Sequence, residues 1–217
     1  MTFTLAVVSA GLSQPSSTRL LADRLAEAAT RKLAEAGQDV LVEIVELRPL
    51  AHALADNLVT GFPPAELEAA IATVTAADAL VAVTPVFTAS YSGLFKTFFD
   101  VLDKDALVGK PTLVAATAGT PRHSLVLEHA VRPLFSYLRA VVVPTAVFAA
   151  TEDFGATVGG PLGERIDRAG AELAELLAPG VRRAVGAPHR ESPVSRRAAA
   201  LDPFKDVTPF EQLLGGN

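Results

Sequence analysis

Residues 3–37 read FTLAVVSAGLSQPSSTRLLADRLAEAATRKLAEAG. Phe3 to Ser9 is a short, nearly unbroken apolar run that stops before Gly11, the pattern of a strand covered on both faces. From Ser17 onward, Leu20, Leu21, Leu25, Ala28, Ala29 and Leu33 recur at helical spacing, and Gly37 ends the series. Between strand and helix lies a polar loop led by a glycine. This stretch is the first half of a β-α-β unit, and the rest of the chain repeats it.

Val40, Val42 and Ile44 alternate with Leu41 and Glu43, which predicts a second, partly buried strand. Pro63 and Pro64 open a helix to about Ala76. A strand at Ala79–Thr84 leads through a Ser/Thr/Pro loop to a helix near Ser92–Leu102. A fourth strand at Thr112–Thr117 precedes a helix from about His123 to Leu138. A fifth strand, Val141–Phe148, is interrupted by Pro144, and a last helix covers roughly Leu162–Leu177.

Five β-α repeats predict an α/β domain, a parallel sheet with helices on both faces. The first, third and fourth runs are apolar throughout and belong in the centre. Glu43 and Glu46 mark the second strand as an edge. Pro144, which cannot donate to a ladder, marks the fifth as the other. The order 2-1-3-4-5 satisfies both conditions, and it is the flavodoxin-like doubly wound five-stranded arrangement.

The chain has 217 residues, half of them hydrophobic, enough for one domain with a full core. A formal charge of −5 excludes a general attraction to nucleic acid. The absence of cysteine excludes disulfides and thiolate metal sites. His52, His123, His129 and His189 show no ligand spacing, so no metal is expected. No apolar run approaches the roughly 18 residues of a membrane span. No basic segment precedes a hydrophobic stretch at the N-terminus, so a cytoplasmic protein is expected.

Residues 1–179 form the expected domain, and residues 180–217 a C-terminal extension of different character. From 181 on there are six basic and four acidic side chains, against 13 and 20 in the rest of the chain. Pro188, Pro193, Pro203 and Pro209 argue against a separate core there. Phe204, Phe210, Leu213 and Leu214 offer apolar anchors, so the segment reads as a solvated tail or as an arm on its own body or a second subunit.

In an open α/β sheet, ligands bind beyond the carboxyl ends of the strands, where the strand order reverses. Three loops meet there. The first, Ser9-Ala10-Gly11-Leu12-Ser13-Gln14-Pro15-Ser16-Ser17-Thr18, turns sharply at Gly11 and sets hydroxyls and amides at a helix start. A helix N-terminus with unsatisfied donors suits a phosphate, although Ser and Thr also cap helices that bind nothing. No Gly-Lys-Ser/Thr follows, so this is not a Walker loop.

The second loop, Thr84-Pro85-Val86-Phe87-Thr88-Ala89-Ser90-Tyr91-Ser92-Gly93, offers amides to the polar edge of a flat heterocycle and Phe87 or Tyr91 to its face. Lys96 and Asp100, four apart on the next helix, read as a surface ion pair. The third loop, Thr117-Ala118-Gly119-Thr120-Pro121-Arg122-His123, permits close approach at Gly119 and places a hydroxyl at Thr120.

With these loops in place the chain resembles the NAD(P)H-dependent FMN reductases of the flavodoxin-like class, over roughly residues 3–178. The similarity rests on Gly11–Thr18, on Thr84-Pro85-Val86-Phe87 with Tyr91-Ser92-Gly93-Leu94-Phe95-Lys96, and on Gly119-Thr120-Pro121-Arg122-His123 with Leu127-Glu128-His129 and Arg132-Pro133-Leu134. The last is similar to the branch that supplies reduced flavin to two-component monooxygenases. The Ser-Ala-Gly-Leu-Ser-Gln-Pro-Ser-Ser-Thr string is similar to a subgroup paired with luciferase-like flavin monooxygenases.

The resemblance implies FMN, with NADPH or NADH as electron donor. It places the phosphate at Ser9, Gly11, Ser16, Ser17 and Thr18. Pro85, Val86, Phe87 and Thr88 would line the isoalloxazine, with Gly119 and Thr120 closing its other side. It also implies a homodimer or homotetramer and a possible flavin-dependent monooxygenase partner. One position departs from the pattern: where the family usually carries an arginine, three residues before the Ser of Ser-x-Thr, this chain has Ser13, leaving Arg19 as the nearby cation.

Hydride transfer between two stacked rings asks the protein for position and dryness more than for acid–base groups. No catalytic side chain is therefore assigned. A quinone or azo-compound reductase on the same fold is the enzymatic alternative, and a non-catalytic flavin-binding electron carrier the other. Carriers of that kind tend to be strongly acidic, which fits poorly here. A phosphoryl-accepting receiver domain is excluded, because it needs acidic residues where this chain has Ser9-Ala10-Gly11 and Thr84-Pro85.

Overall fold

A computed structural model describes residues 2–155 and 160–178. The expected extension 180–217, with Phe204, Phe210, Leu213 and Leu214, lies outside the described residues. The strands are β1 (Thr2–Ser9), β2 (Asp39–Glu46), β3 (Ala79–Phe87), β4 (Ser90–Tyr91), β5 (Pro111–Ala118), β6 (Val141–Val142) and β7 (Val147–Ala150). The helices are α1 (Ser17–Glu35), α2 (Ala51–Thr60), α3 (Ala65–Ala76), α4 (Gly93–Asp100), α5 (Arg132–Tyr137) and α6 (Pro161–Leu177).

The sheet runs β2-β1-β3-β5-β6 in parallel, with β7 also on β5. Counting β6 and β7 as one interrupted strand gives the expected 2-1-3-4-5 order. Inside each central strand the buried residues alternate between two cores. Leu5, Val7, Val81, Val83, Leu113 and Ala115 pack under α1 and α6. Ala6, Val8, Leu80, Ala82, Val114 and Ala116 face the other side, with Leu54, Leu67 and Val74. There Phe95, Phe98, Phe99 and Phe135 form a largely edge-to-face cluster, with centroids 4.7 Å apart for Phe95–Phe99 and 4.9 Å for Phe99–Phe135. Only Val45 of β2 is buried, as suits an edge.

Four features depart from the sequence reading. The fifth run breaks in two around Pro144: β6 pairs with Pro111 and Thr112, and β7 with Ala115–Ala118. Side chains satisfy the backbone in the gap. Arg132 donates to the carbonyls of Val143 and Pro144 at 3.0 Å each, and Glu172 accepts from the Thr145 N–H at 2.7 Å. The expected helix 123–138 is instead a 3-10 turn at Pro121–His123, a π turn at Leu127–Val131, and then α5. Pro133 has no N–H and crowds the carbonyl four residues back, so the preceding turn widens and the Arg132 N–H bonds the Leu127 carbonyl.

α2 was not expected. Leu58 and Val59 point to solvent and blur its period, while its buried stripe is only Ala53, Leu54 and Asn57. The loop after β3 folds into a hairpin with β4, which pairs Val86 with Tyr91 and Phe87 with Ser90.

α1 and α6 lie backbone against backbone. A Cβ at Gly170 would come within 2.9 Å of the Ala28 backbone, so only glycine permits this approach. Among the described residues, no helix is long and apolar enough to cross a membrane.

Candidate functional site

Lateral bonds hold the carboxyl ends of β1, β3 and β5 in line. Ser9 stands opposite Val83, and Pro85 opposite Thr117. The Ala10 N–H donates to the Val83 carbonyl at 3.0 Å, and the Leu47 N–H to the Ser9 carbonyl at 3.0 Å. Ser9 is buried, so it frames the loop.

The first loop enters α1 through Ser16. Its backbone is extended, and its hydroxyl accepts from the Arg19 N–H at 3.2 Å, a side-chain N-cap. A Cβ on residue 11 would sit 2.0 Å from Ser16 Oγ, so a glycine is required for the loop to close on its own cap. The N–H groups of Ser17 and Thr18, the first two residues of α1, have no intrahelical acceptor and carry the positive end of the helix dipole. Ser17 is exposed. The Thr18 hydroxyl is buried and shares a 2.8 Å bond with that of Thr117, tying the first turn of α1 to the end of β5. Thr18 therefore offers the loop its amide while its side chain braces the frame.

Arg19, the cation expected to stand in for the missing arginine, is held elsewhere. Its Nε lies 2.8 Å from Asp23 and its Nη1 3.0 Å from Glu46. The bond to Asp23 raises its pKa most; partial burial opposes it, and Glu46 adds to the rise.

The second loop is anchored by Thr84, whose hydroxyl accepts from the Ser92 N–H at 3.0 Å, and by Ser92, which caps α4 through the Phe95 N–H at 3.1 Å. Thr88 and Ala89 both adopt left-handed backbone, φ 48° and 66°, making a two-residue hairpin without the usual Asn-Gly. The hairpin separates the two aromatic candidates. Tyr91 turns inward, 6.1 Å from Phe95 in centroid distance, while Phe87 stands 47% exposed at the mouth. Pro85 and Val86 are half-buried and Thr88 is exposed. As expected, Lys96 pairs with Asp100 on the α4 surface.

In the third loop Gly119 is exposed and Thr120 half-buried, its hydroxyl accepting from Arg122 Nε at 3.1 Å. His123 closes the 3-10 turn, half-buried. Beside this loop opens a cleft of about 350 Å³ lined by Pro121, Ser124, Leu127, Phe148, Glu152 and Arg165. Among the described residues no cluster of His, Asp or Glu could hold a metal ion.

The sequence reading missed Thr117 as a partner of Thr18; its only signal is a hydroxyl at the end of an apolar run. It also missed the strained turn, for which Thr-Ala gives no signal at all.

The structure thus provides a helix start with free amides, a glycine-dependent cradle, and two flanking loops at the switch point. These residues fit a phosphate-bearing flat ligand such as FMN. A relative from Pseudomonas aeruginosa, named FMN reductase (NADPH), is 39% identical over 179 residues, covering 81% of this chain and 92% of its own. NADH-dependent FMN reductase SfnF from Pseudomonas fluorescens is 38% identical over 174 residues, 78% of this chain and 89% of its own. The crystal structure of an oxidoreductase from Corynebacterium diphtheriae superposes with a TM-score of 0.78 at 55% identity, over 81% of this chain and 97% of that one. The family model for NADPH-dependent FMN reductase matches residues 3–155, a span that takes in all three loops, and the chain belongs to that family.

Proposed function

We propose that this protein reduces FMN at the expense of NADPH or NADH and releases the reduced flavin to a flavin-dependent monooxygenase. The observation that carries this reading is the first loop: Gly11 closing on Ser16 leaves the Ser17 and Thr18 amides at the head of a 19-residue helix, beside the hairpin that exposes Phe87. When bound, FMN supplies the redox chemistry, a flavin ring that accepts hydride from a nicotinamide.

The chain's own residues position and shield. Gly11, Ser16, Ser17 and the Thr18 amide would hold the phosphate, with Ser9 framing the turn. Pro85, Val86, Phe87 and Thr88 would line one edge and face of the ring, and Gly119 and Thr120 would close the opposite side. Phe87 and the half-buried Pro85 and Val86 give that face an apolar cover that keeps water from it. The same reading places the protein in the cytoplasm and makes the working unit a homodimer or homotetramer, a mass that light scattering on the purified protein checks.

The test is anaerobic stopped-flow absorbance in the visible band of the flavin, mixing protein and FMN with NADH and then with NADPH. Rapid bleaching with either is expected, and the ratio of rates gives the donor preference. Bound FMN that does not bleach would leave a flavin-binding carrier. Faster turnover with a quinone than with free FMN would move the assignment to a quinone reductase.

A further inference from the structure

Between Ser9 and Thr18 the first loop carries no charged side chain, and Arg19 is the first cation after it. Side chains in the first turn lean toward the helix N-terminus, so a guanidinium at this position has the phosphate cradle within its range. Arg19 is turned the other way. Asp23, one turn along α1, takes its Nε at 2.8 Å, and Glu46, the last residue of β2, takes its Nη1 at 3.0 Å. β2 lies on the far side of β1 from β3 and β5, whose loops flank the cradle. Thr18 reaches toward β5 and Arg19 toward β2, adjacent residues sent to opposite sides of the mouth.

We propose that Asp23 and Glu46 hold Arg19 away from the flavin phosphate, so that neutral donors alone bind it and FMN comes and goes as a substrate. This rests on the flavin-binding reading above. Hydrogen bonds from neutral amides and hydroxyls to phosphate are weaker than those from a guanidinium, which is charged and two-pronged. The restraint itself is modest, since the pairs are partly exposed: the side chains of Arg19, Asp23 and Glu46 are 32%, 45% and 50% accessible. Neutralising both carboxylates is therefore enough to release the arginine.

The experiment measures dissociation constants for FMN and for riboflavin, which lacks the phosphate, by quenching of flavin fluorescence. Asp23→Asn with Glu46→Gln is expected to tighten FMN by about three- to tenfold, the range of a partly exposed charge-assisted bond, and to leave riboflavin unchanged. Adding Arg19→Gln to that pair returns FMN to the wild-type value. Glu27→Gln with Glu43→Gln alters the net charge equally without touching Arg19, and should leave FMN affinity nearly where it was.

Equal tightening by the Glu27/Glu43 control, or none by Asp23→Asn with Glu46→Gln, overturns the proposal. So does Arg19→Gln alone weakening FMN about tenfold with riboflavin unaffected, because Arg19 would then already sit on the phosphate. A wild-type protein that binds neither flavin sinks the functional reading instead, a separate result.

Discussion

Three consecutive hydroxyl residues, Ser16, Ser17 and Thr18, perform three different tasks. Ser16 caps the helix, Ser17 faces solvent, and Thr18 is spent inside on Thr117, which lies 99 residues away in sequence. The cap and the glycine were legible, because a Gly followed by Ser/Thr before a helical period has a local mechanism. The Thr18–Thr117 bond was not, since no local pattern announces a partner on another strand. Gly11→Ala is expected to push the Ser16 hydroxyl off its cap. FMN affinity should fall about tenfold or more, and stability by about 1 kcal/mol, read by flavin titration and urea unfolding. Thr18→Val strands a buried Thr117 hydroxyl and should cost about 1–3 kcal/mol. Because the pair share one bond, Thr18→Val with Thr117→Val should cost less than the two single changes added together, a cycle that urea midpoints can close.

Elements were legible where period and burial agreed. β1, β3 and β5 are buried on both faces and read as unbroken apolar runs, and α1 shows its stripe in Leu21, Leu25 and Leu33. α2 was lost because its exposed face carries Leu58 and Val59 while an asparagine fills its core stripe. Pro144 was read correctly as a mark of the edge, but how a strand survives on both sides of it depends on Arg132 and Glu172, which arrive from other elements. The hairpin after β3 is strained by choice of residue: Thr88 and Ala89 occupy backbone that Asn and Gly adopt at little cost. Thr88→Asn with Ala89→Gly should raise stability by about 1 kcal/mol or more, seen as a higher urea midpoint with the m-value unchanged.

At the scale of the whole molecule, edge chemistry narrowed the topology: Glu43, Glu46 and Pro144 marked the second and fifth strands as edges, and the observed order β2-β1-β3-β5-β6 has them there. One half-buried cation adds a pH dependence. Lys110 donates to the carbonyls of Thr75 and Ala77 at the end of α3, and burial lowers its pKa from the ordinary 10.5, with Asp78 opposing. The folded chain then loses this proton at a lower pH than the unfolded chain does. Stability rises with pH across that interval, is fully present above 10.5, and is lost as pH falls through the folded value. The urea midpoint of the wild type relative to Lys110→Met should therefore improve as pH rises toward the ordinary lysine value.

The contact of Gly170 with Ala28 sets an order of manufacture against an order of assembly. The helix that presents the first loop leaves the ribosome more than a hundred residues before the surface it leans on. Synthesis at about 5–20 residues per second leaves α1 waiting several seconds for α6. A nascent chain stopped before Pro161 holds every residue of the three loops and still lacks the wall that steadies one of them. Flavin capture should therefore begin abruptly, once Pro161–Leu177 has emerged, and not gradually as each loop is made.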